Sequence, residues 1–277
     1  MVGECYRFLQ VLSLDVVLGA MICSAFLASV LEVQLEVVVY IVLGLAVWII
    51  YTLDHLLDAK AIQHKAHTYR HHFHQRYAKP LWWSILLASI LEGVLLFYIP
   101  PTVFWMGIKV SILVAVYFLM LQFIPIKAFL LKELSIAIIY VIGILVGPLS
   151  EVSVWHWEWT ALVLQLFLLA YINLLEFSLY DEKTDQLDGH KSAVSCLGKW
   201  RIKKLLLAVF FSFLIISLGV LWKGGETYPL WAQSILWAMG IVLYLVFELE
   251  SRLKQRQLYR VLGDAVFLFP AVYLFFE

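Results

Sequence analysis

Nine apolar runs occupy most of this chain, at residues 10–30, 36–57, 80–99, 102–123, 133–152, 159–180, 202–221, 229–249 and 258–276. Crossing a bilayer as a helix takes about 20 apolar residues, so each run is a candidate span. Only 14% of the 277 residues are charged and 63% are hydrophobic, whereas a soluble domain carries roughly a quarter charged residues. The expected fold class is therefore all-α and integral to the membrane, with nine transmembrane helices and no sizeable soluble domain. Pro100–Pro101, and Gly224–Gly225 with Pro229, punctuate two tight turns between spans. No linker of biased composition divides the chain, which reads as one domain, 1–277. Cys5, Cys23 and Cys196 are too few and too scattered for a disulfide framework or a thiolate metal motif. A net charge of zero gives no sign of a nucleic-acid partner.

The basic residues test this count. Place the N-terminus and the loops after spans two, four, six and eight on one side of the membrane. Of the 20 Lys and Arg, only Lys223 then lies in an opposite loop and only Lys109 deep inside a span. The positive-inside rule makes the basic side cytoplasmic. This puts the N-terminus inside and the C-terminus outside, in a cell (inner) membrane. Spans one to four and five to eight form two parallel four-helix halves, with the ninth span added.

Acid is concentrated where each half leaves its second span. Asp54 and Asp58 follow span two, and Asp181 and Asp185 follow span six. Carboxylates four residues apart share one helix face, about 6 Å apart along the axis. A charge at a membrane boundary is costly unless it has a partner or a task. One such pair is often a solvated boundary or a structural ion pair. Two on the same side, each followed by a basic loop, point to a shared cation. Hard oxygen donors select Mg²⁺, which commonly bridges to phosphates. Lys127, Lys191, Arg70 and Arg76 stand nearby as phosphate partners, and an apolar bundle behind them suits a hydrocarbon tail. Metal, diphosphate and lipid together suggest an isoprenyl diphosphate, with the bundle shielding an allylic cation from water.

The letters themselves are familiar. Asp181-x3-Asp185-x3-Gly189-His190-Lys191-Ser192, followed by Gly198, resembles the second aspartate motif of the UbiA-type membrane prenyltransferases. Asp54-x3-Asp58 resembles the first motif, with Asp where Asn usually leads. Pro125-Ile126-Lys127, then Glu133 through Gly143, Gly147 and Pro148, is similar to that family's stretch around spans four and five. The resemblance implies a helical bundle around a cavity that opens to the cytoplasm under a polar cap. It implies that Asp54, Asp58, Asp181 and Asp185 hold Mg²⁺ and diphosphate, with Lys127 and Lys191 as phosphate contacts. Asp188 continues the face of Asp181 and is a further candidate ligand. The implied activity is transfer of a prenyl group from a prenyl diphosphate to an acceptor. A terpene cyclase on the same scaffold, or a lipid-binding or transport protein that does no chemistry, are the alternatives.

Other polar residues carry weaker expectations. His55, His64, His67, His71, His72 and His74 crowd one loop; they are too few in grouping for the histidine boxes of a di-iron enzyme. A partly titrating cap over the diphosphate and a plain surface loop are the two remaining readings. Glu92 and Lys109 fall at matching depth in consecutive spans, which predicts a buried ion pair. Asp15 and Asp264 either line the cavity or bond neighbouring helices. Asn173 and Glu176 lie below Asp181, where a polar acceptor would sit. Tyr51, one turn before Asp54, is a candidate diphosphate contact as well as an ordinary boundary tyrosine. Trp82, Trp83, Trp155, Trp157, Trp159 and Trp231 sit near span ends, as in an interfacial belt.

Overall fold

A computed structural model describes residues 8–123, 130–189, 192–223, 228–254 and 258–275. Its helices begin with α1 (Leu14–Val30), α2 (Val37–Ala61), α3 (Tyr69–Arg76), α4 (Ala78–Leu95), α5 (Pro101–Phe123), α6 (Leu130–Glu151), α7 (Trp157–Asp188), α8 (Ala193–Leu197), α9 (Lys199–Lys223) and α10 (Leu230–Glu248). Then come α11 (Glu250–Lys254), α12 (Leu258–Ala265) and a 3₁₀ segment, Val266–Phe275. No strand occurs among the described residues.

Every apolar run became helix, and the protein is a multi-pass membrane protein by length and composition. Among the described residues, eight helical segments are long and apolar enough to cross a bilayer. The count of nine is short by α1, which has 17 residues, or about 25 Å at 1.5 Å per residue. Its place in the fold is interior: Ala20, Cys23, Phe26 and Leu27 are fully buried, and α1 packs on α2, α6 and the 3₁₀ segment. The last span changes from α to 3₁₀ around Pro270, which has no N–H to give to the preceding turn.

The core centres on α7. Leu162, Leu166, Leu169, Ile172, Leu175 and Leu179 are essentially unexposed, at the three- and four-residue spacing of an inward face. α6, α9 and α10 pack around α7. Polar side chains join three of these helices: Ser217 Oγ donates to Gln165 Oε1 at 2.7 Å, and Gln233 Nε2 donates to the same oxygen at 2.8 Å. Such bonds between membrane helices contribute on average about 0.6 kcal/mol each. Elsewhere α4 and α5 leave large side chains such as Leu87 and Trp105 exposed, as lipid-facing helices do. Trp82, Trp83, Trp155 and Trp157 are likewise exposed. Trp159 and Trp231 instead pack against the core, and Trp231 stacks on Tyr273.

Three short helices lie outside the apolar runs, and one of them builds a cap. Thr68 Oγ1 accepts from His71 N at 3.2 Å and starts α3, a standard N-cap. Gln75 fastens the loop before it. Its Nε2 donates to the carbonyls of Ala59, Ile62 and His64 at 2.9–3.3 Å, and its Oε1 accepts from Ala66 N at 3.1 Å. α3 packs on α2 and α4.

Candidate functional site

At 32 residues, α7 is about 48 Å long, against a hydrocarbon core of about 30 Å. Its last turns can therefore stand beyond the lipid, and these carry Asp181, Asp185 and Asp188. The helix ends at Gly189, whose φ of 73° lies in the left-handed region that costs glycine nothing. The chain then turns back: Ala193 N donates to Glu133 Oε1 of α6 at 2.7 Å, and Val194 N donates to Ser178 Oγ of α7 at 3.2 Å.

Asp181 and Asp185 line a cavity of about 210 Å³ that Asp54 and Asp58 of α2 also line. The two acidic pairs, 127 residues apart at their first members, thus share one chamber. Three cations join them there: Arg70 of the cap helix, Lys132 of α6 and Arg260 of α12. Lys132 Nζ lies 3.5 Å from Asp58 Oδ2. Arg260 Nη2 donates to Asp181 Oδ2 at 2.5 Å, and Tyr259 Oη donates to Asp181 Oδ1. Tyr259 is itself fixed by stacking on Tyr180, with ring centroids 4.1 Å apart. Arg70 Nε is buried with no hydrogen-bond partner among the described residues, so a guanidinium edge is available to an anion.

Toward the apolar side the chamber adjoins a second cavity of about 350 Å³ between α2, α4, α5 and α6. Tyr51, Asp54, Ile136 and Tyr140 line both. Tyr51 therefore stands at the junction of the polar and apolar spaces. The polar cavity also reaches Asp15, Asn173 and Asp264; Asp264 lines it and bonds the Gln10 side chain as well. A close approach makes room for that wall: a Cβ on Gly263 would overlap Asn173 Oδ1 and come within 2.8 Å of the Phe177 ring.

Several expectations need correcting. Asp188 does not line the cavity. It lies on the face of Asp181 but one turn beyond Asp185, where the cap loop covers it: His67 N donates to both its carboxylate oxygens at 3.1 and 3.2 Å. Glu176 is fully buried outside the cavity lining, and neither of its carboxylate oxygens has a hydrogen-bond partner among the described residues. Glu92 and Lys109 form no ion pair; Glu92 borders the apolar cavity and Lys109 is exposed on α5. Matching counts from the span ends say nothing of rotation about each helix axis, which decides what a side chain faces. Arg76 is exposed over the Tyr77 ring. Lys127 and Lys191 lie outside the described residues.

Sequence reasoning does not single out Lys132, Tyr259 and Arg260 as site residues, because Lys132 and Arg260, as basic residues at span ends, already satisfy the positive-inside rule. Arg260 had a signal of its own: it sits four residues before Asp264, on the same helix face. Around the cap, burial pushes the His74 imidazole below its ordinary pKa, because a buried ring resists charging. Its Nδ1–H donates to the Arg70 carbonyl at 2.9 Å, which ties that ring to the residue that faces the cavity.

By sequence, no family model and no curated protein matches this chain. By structure, the chain has the fold of a UbiA homolog from Archaeoglobus fulgidus that was solved bound to DMAPP and Mg²⁺. The TM-score is 0.67 at 14% identity, over 95% of this chain and 96% of that one.

Proposed function

We propose that this protein is an integral-membrane, Mg²⁺-dependent prenyltransferase, a UbiA-type domain spanning 1–277, that moves an isoprenyl group from a prenyl diphosphate to a polar acceptor. The observation that carries the reading is the chamber itself: two carboxylate pairs and three cationic side chains around one space that continues into an apolar cavity. The neighbour that shares the fold was captured with DMAPP and Mg²⁺, which supports the same ligand class here.

Mg²⁺ fits the donor set, because Asp54, Asp58, Asp181 and Asp185 offer only hard carboxylate oxygens. When bound, it would neutralise the charge that develops on a departing diphosphate. The chain's own groups do the rest. Arg70, Arg260 and Lys132 grip the diphosphate oxygens, Arg260 and Lys132 exchanging their aspartate partners for phosphate. The hydrocarbon tail lies in the apolar cavity, so the scissile C–O bond falls beside Tyr51 and Tyr140. The bond breaks with its electron pair leaving on the diphosphate, and the faces of these two rings steady the allylic cation. A nucleophilic atom of the acceptor, held by Asn173, bonds the cation carbon, and Asp264 or Asp15 takes the proton it sheds. The polar lining at that depth favours transfer to a second molecule over cyclisation.

On this reading the chamber opens at the cytoplasmic face, with the N-terminus inside and the C-terminus outside. Purified protein incubated with labelled allylic diphosphates, with and without Mg²⁺, tests the activity. Metal-dependent diphosphate release with label transferred to a second molecule supports it. Release with label in a cyclic hydrocarbon would make the protein a cyclase, and no release with any chain length would leave a binding or transport role.

A further inference from the structure

A second cluster lies above the chamber, where the cap meets the end of α7. Asp188 is the hub. Its side chain is wholly buried, and imidazoles of the cap surround it. His67 Nδ1 is 2.6 Å from Oδ1, His64 Nε2 is 3.3 Å from the same oxygen, and His71 Nδ1 is 4.0 Å from Oδ2. One ligand atom from each of His64, His67 and Asp188 lies within 4.8 Å of the others. The rings of His64 and His67 meet edge to face at 5.2 Å.

We propose that His64, His67 and Asp188, with His71 as the fourth position, form a Zn²⁺ site that clasps the cap to the end of α7. The donor chemistry selects the ion. Imidazole nitrogens with one carboxylate suit Zn²⁺ and not Mg²⁺ or Ca²⁺, which take oxygen. Zn–N and Zn–O bonds are about 2.0–2.2 Å, so tetrahedral ligand atoms stand roughly 3.3 Å apart. The 2.6 and 3.3 Å separations reach that spacing with side-chain shifts of under about 1 Å. The support is built as well. His67 N holds both carboxylate oxygens, as outer partners of metal ligands do, and Gln75 fixes the loop that carries His64 and His67. These two rings are about half exposed, which leaves an entry path for the ion.

The position gives such a site a consequence. Asp188 stands three residues after Asp185, and His71 follows Arg70 and itself lines the chamber. Zinc would fix the cap relative to the second carboxylate pair, setting how Arg70 is presented to the cavity.

The test does not depend on the prenyltransferase reading, because its readout is metal. Tag-free protein is dialysed against Zn²⁺ buffered in excess Mg²⁺ and assayed for bound zinc, and Co²⁺ is substituted to read its ligand-field spectrum. The expected result is about one Zn²⁺ per chain that Mg²⁺ does not displace, tetrahedral Co²⁺ bands, and loss of both in His67→Ala and Asp188→Asn. A His67→Cys variant guards against misfolding: it should keep the metal and add a thiolate-to-cobalt charge-transfer band. Failure of wild-type protein to retain zinc, or retention unchanged in the Ala and Asn variants with no thiolate band in the Cys variant, would overturn the proposal.

Discussion

The two carboxylate pairs look like copies in the sequence and stand in very different surroundings. Asp181 and Asp185 ride on α7, where 72% of an 18-residue apolar stretch is buried inside the protein; Asp54 and Asp58 ride on α2, where the figure is 17%. The difference decides what each helix can do. α7 is walled by α6, α9 and α10, and Asp181 is gripped by Arg260 and Tyr259 from α12. α2 is mostly half-buried, borders the apolar cavity along its length, and has Lys132 beside Asp58. A repeated topology has thus yielded one pair set in the rigid core and one set at the edge of the tail chamber. On the proposed function the first anchors the diphosphate and the second adjusts to the substrate's tail.

Asp185→Ala should lower diphosphate release on the order of 10²–10³-fold, the loss that follows removal of one group stabilising transition-state charge. Asp58→Ala should lower it less, since Lys132 is then free to meet the phosphate. Equal losses in a steady-state release assay would mean that the pairs are equivalent after all.

Packing supplies the next contrast. Leu169 of α7 is fully buried and Leu87 of α4 is 66% exposed. Leu169→Ala should cost about 2–5 kcal/mol through the cavity it leaves, and Leu87→Ala less than about 0.5 kcal/mol. Thermal unfolding in detergent reads both, and similar shifts would refute the rigid-core, lipid-edge division. Arg260→Ala comes next. Loss of a charged hydrogen bond costs about 1.5–3 kcal/mol, so substrate affinity should fall roughly 10- to 100-fold, while Arg76→Ala leaves it unchanged.

The smallest effect concerns the cap over α2. His74 has a folded pKa below 6.5, so the unfolded chain binds more protons between the two values and stability rises with pH there. Stability relative to a His74→Gln variant should hold above pH 6.5 and decline as pH falls below it. A difference that stays constant from pH 7.5 to 5.5 would contradict a buried neutral ring.

What was legible in the sequence was whatever hydropathy and helical spacing encode. Apolar runs marked the helices, and the four-residue spacing of the acids placed each pair on one face. Azimuth and cap structure were not encoded so plainly. Lys109 and Glu92 have matching counts from their span ends and face different surroundings, because such a count says nothing of rotation. Asp188 keeps the face of Asp181 but overshoots the chamber by a turn, and only the folded cap loop reveals its partners. The polar stretch Tyr69–Arg76 has no apolar period to mark it as a helix; Thr68 at its start was the local sign. Lys132 and Arg260 were hidden by their other role, since basic residues at span ends already satisfy the positive-inside rule.

Calorimetric binding of a non-reactive prenyl diphosphate analogue, with and without Mg²⁺, to wild-type protein and to Asp58→Asn and Asp185→Asn shows whether the two carboxylate pairs share a ligand. If both pairs act on one ligand, binding needs the metal and each substitution weakens it, Asp185→Asn the more. Tight binding that ignores Mg²⁺, or that survives Asp185→Asn unchanged, would contradict the account.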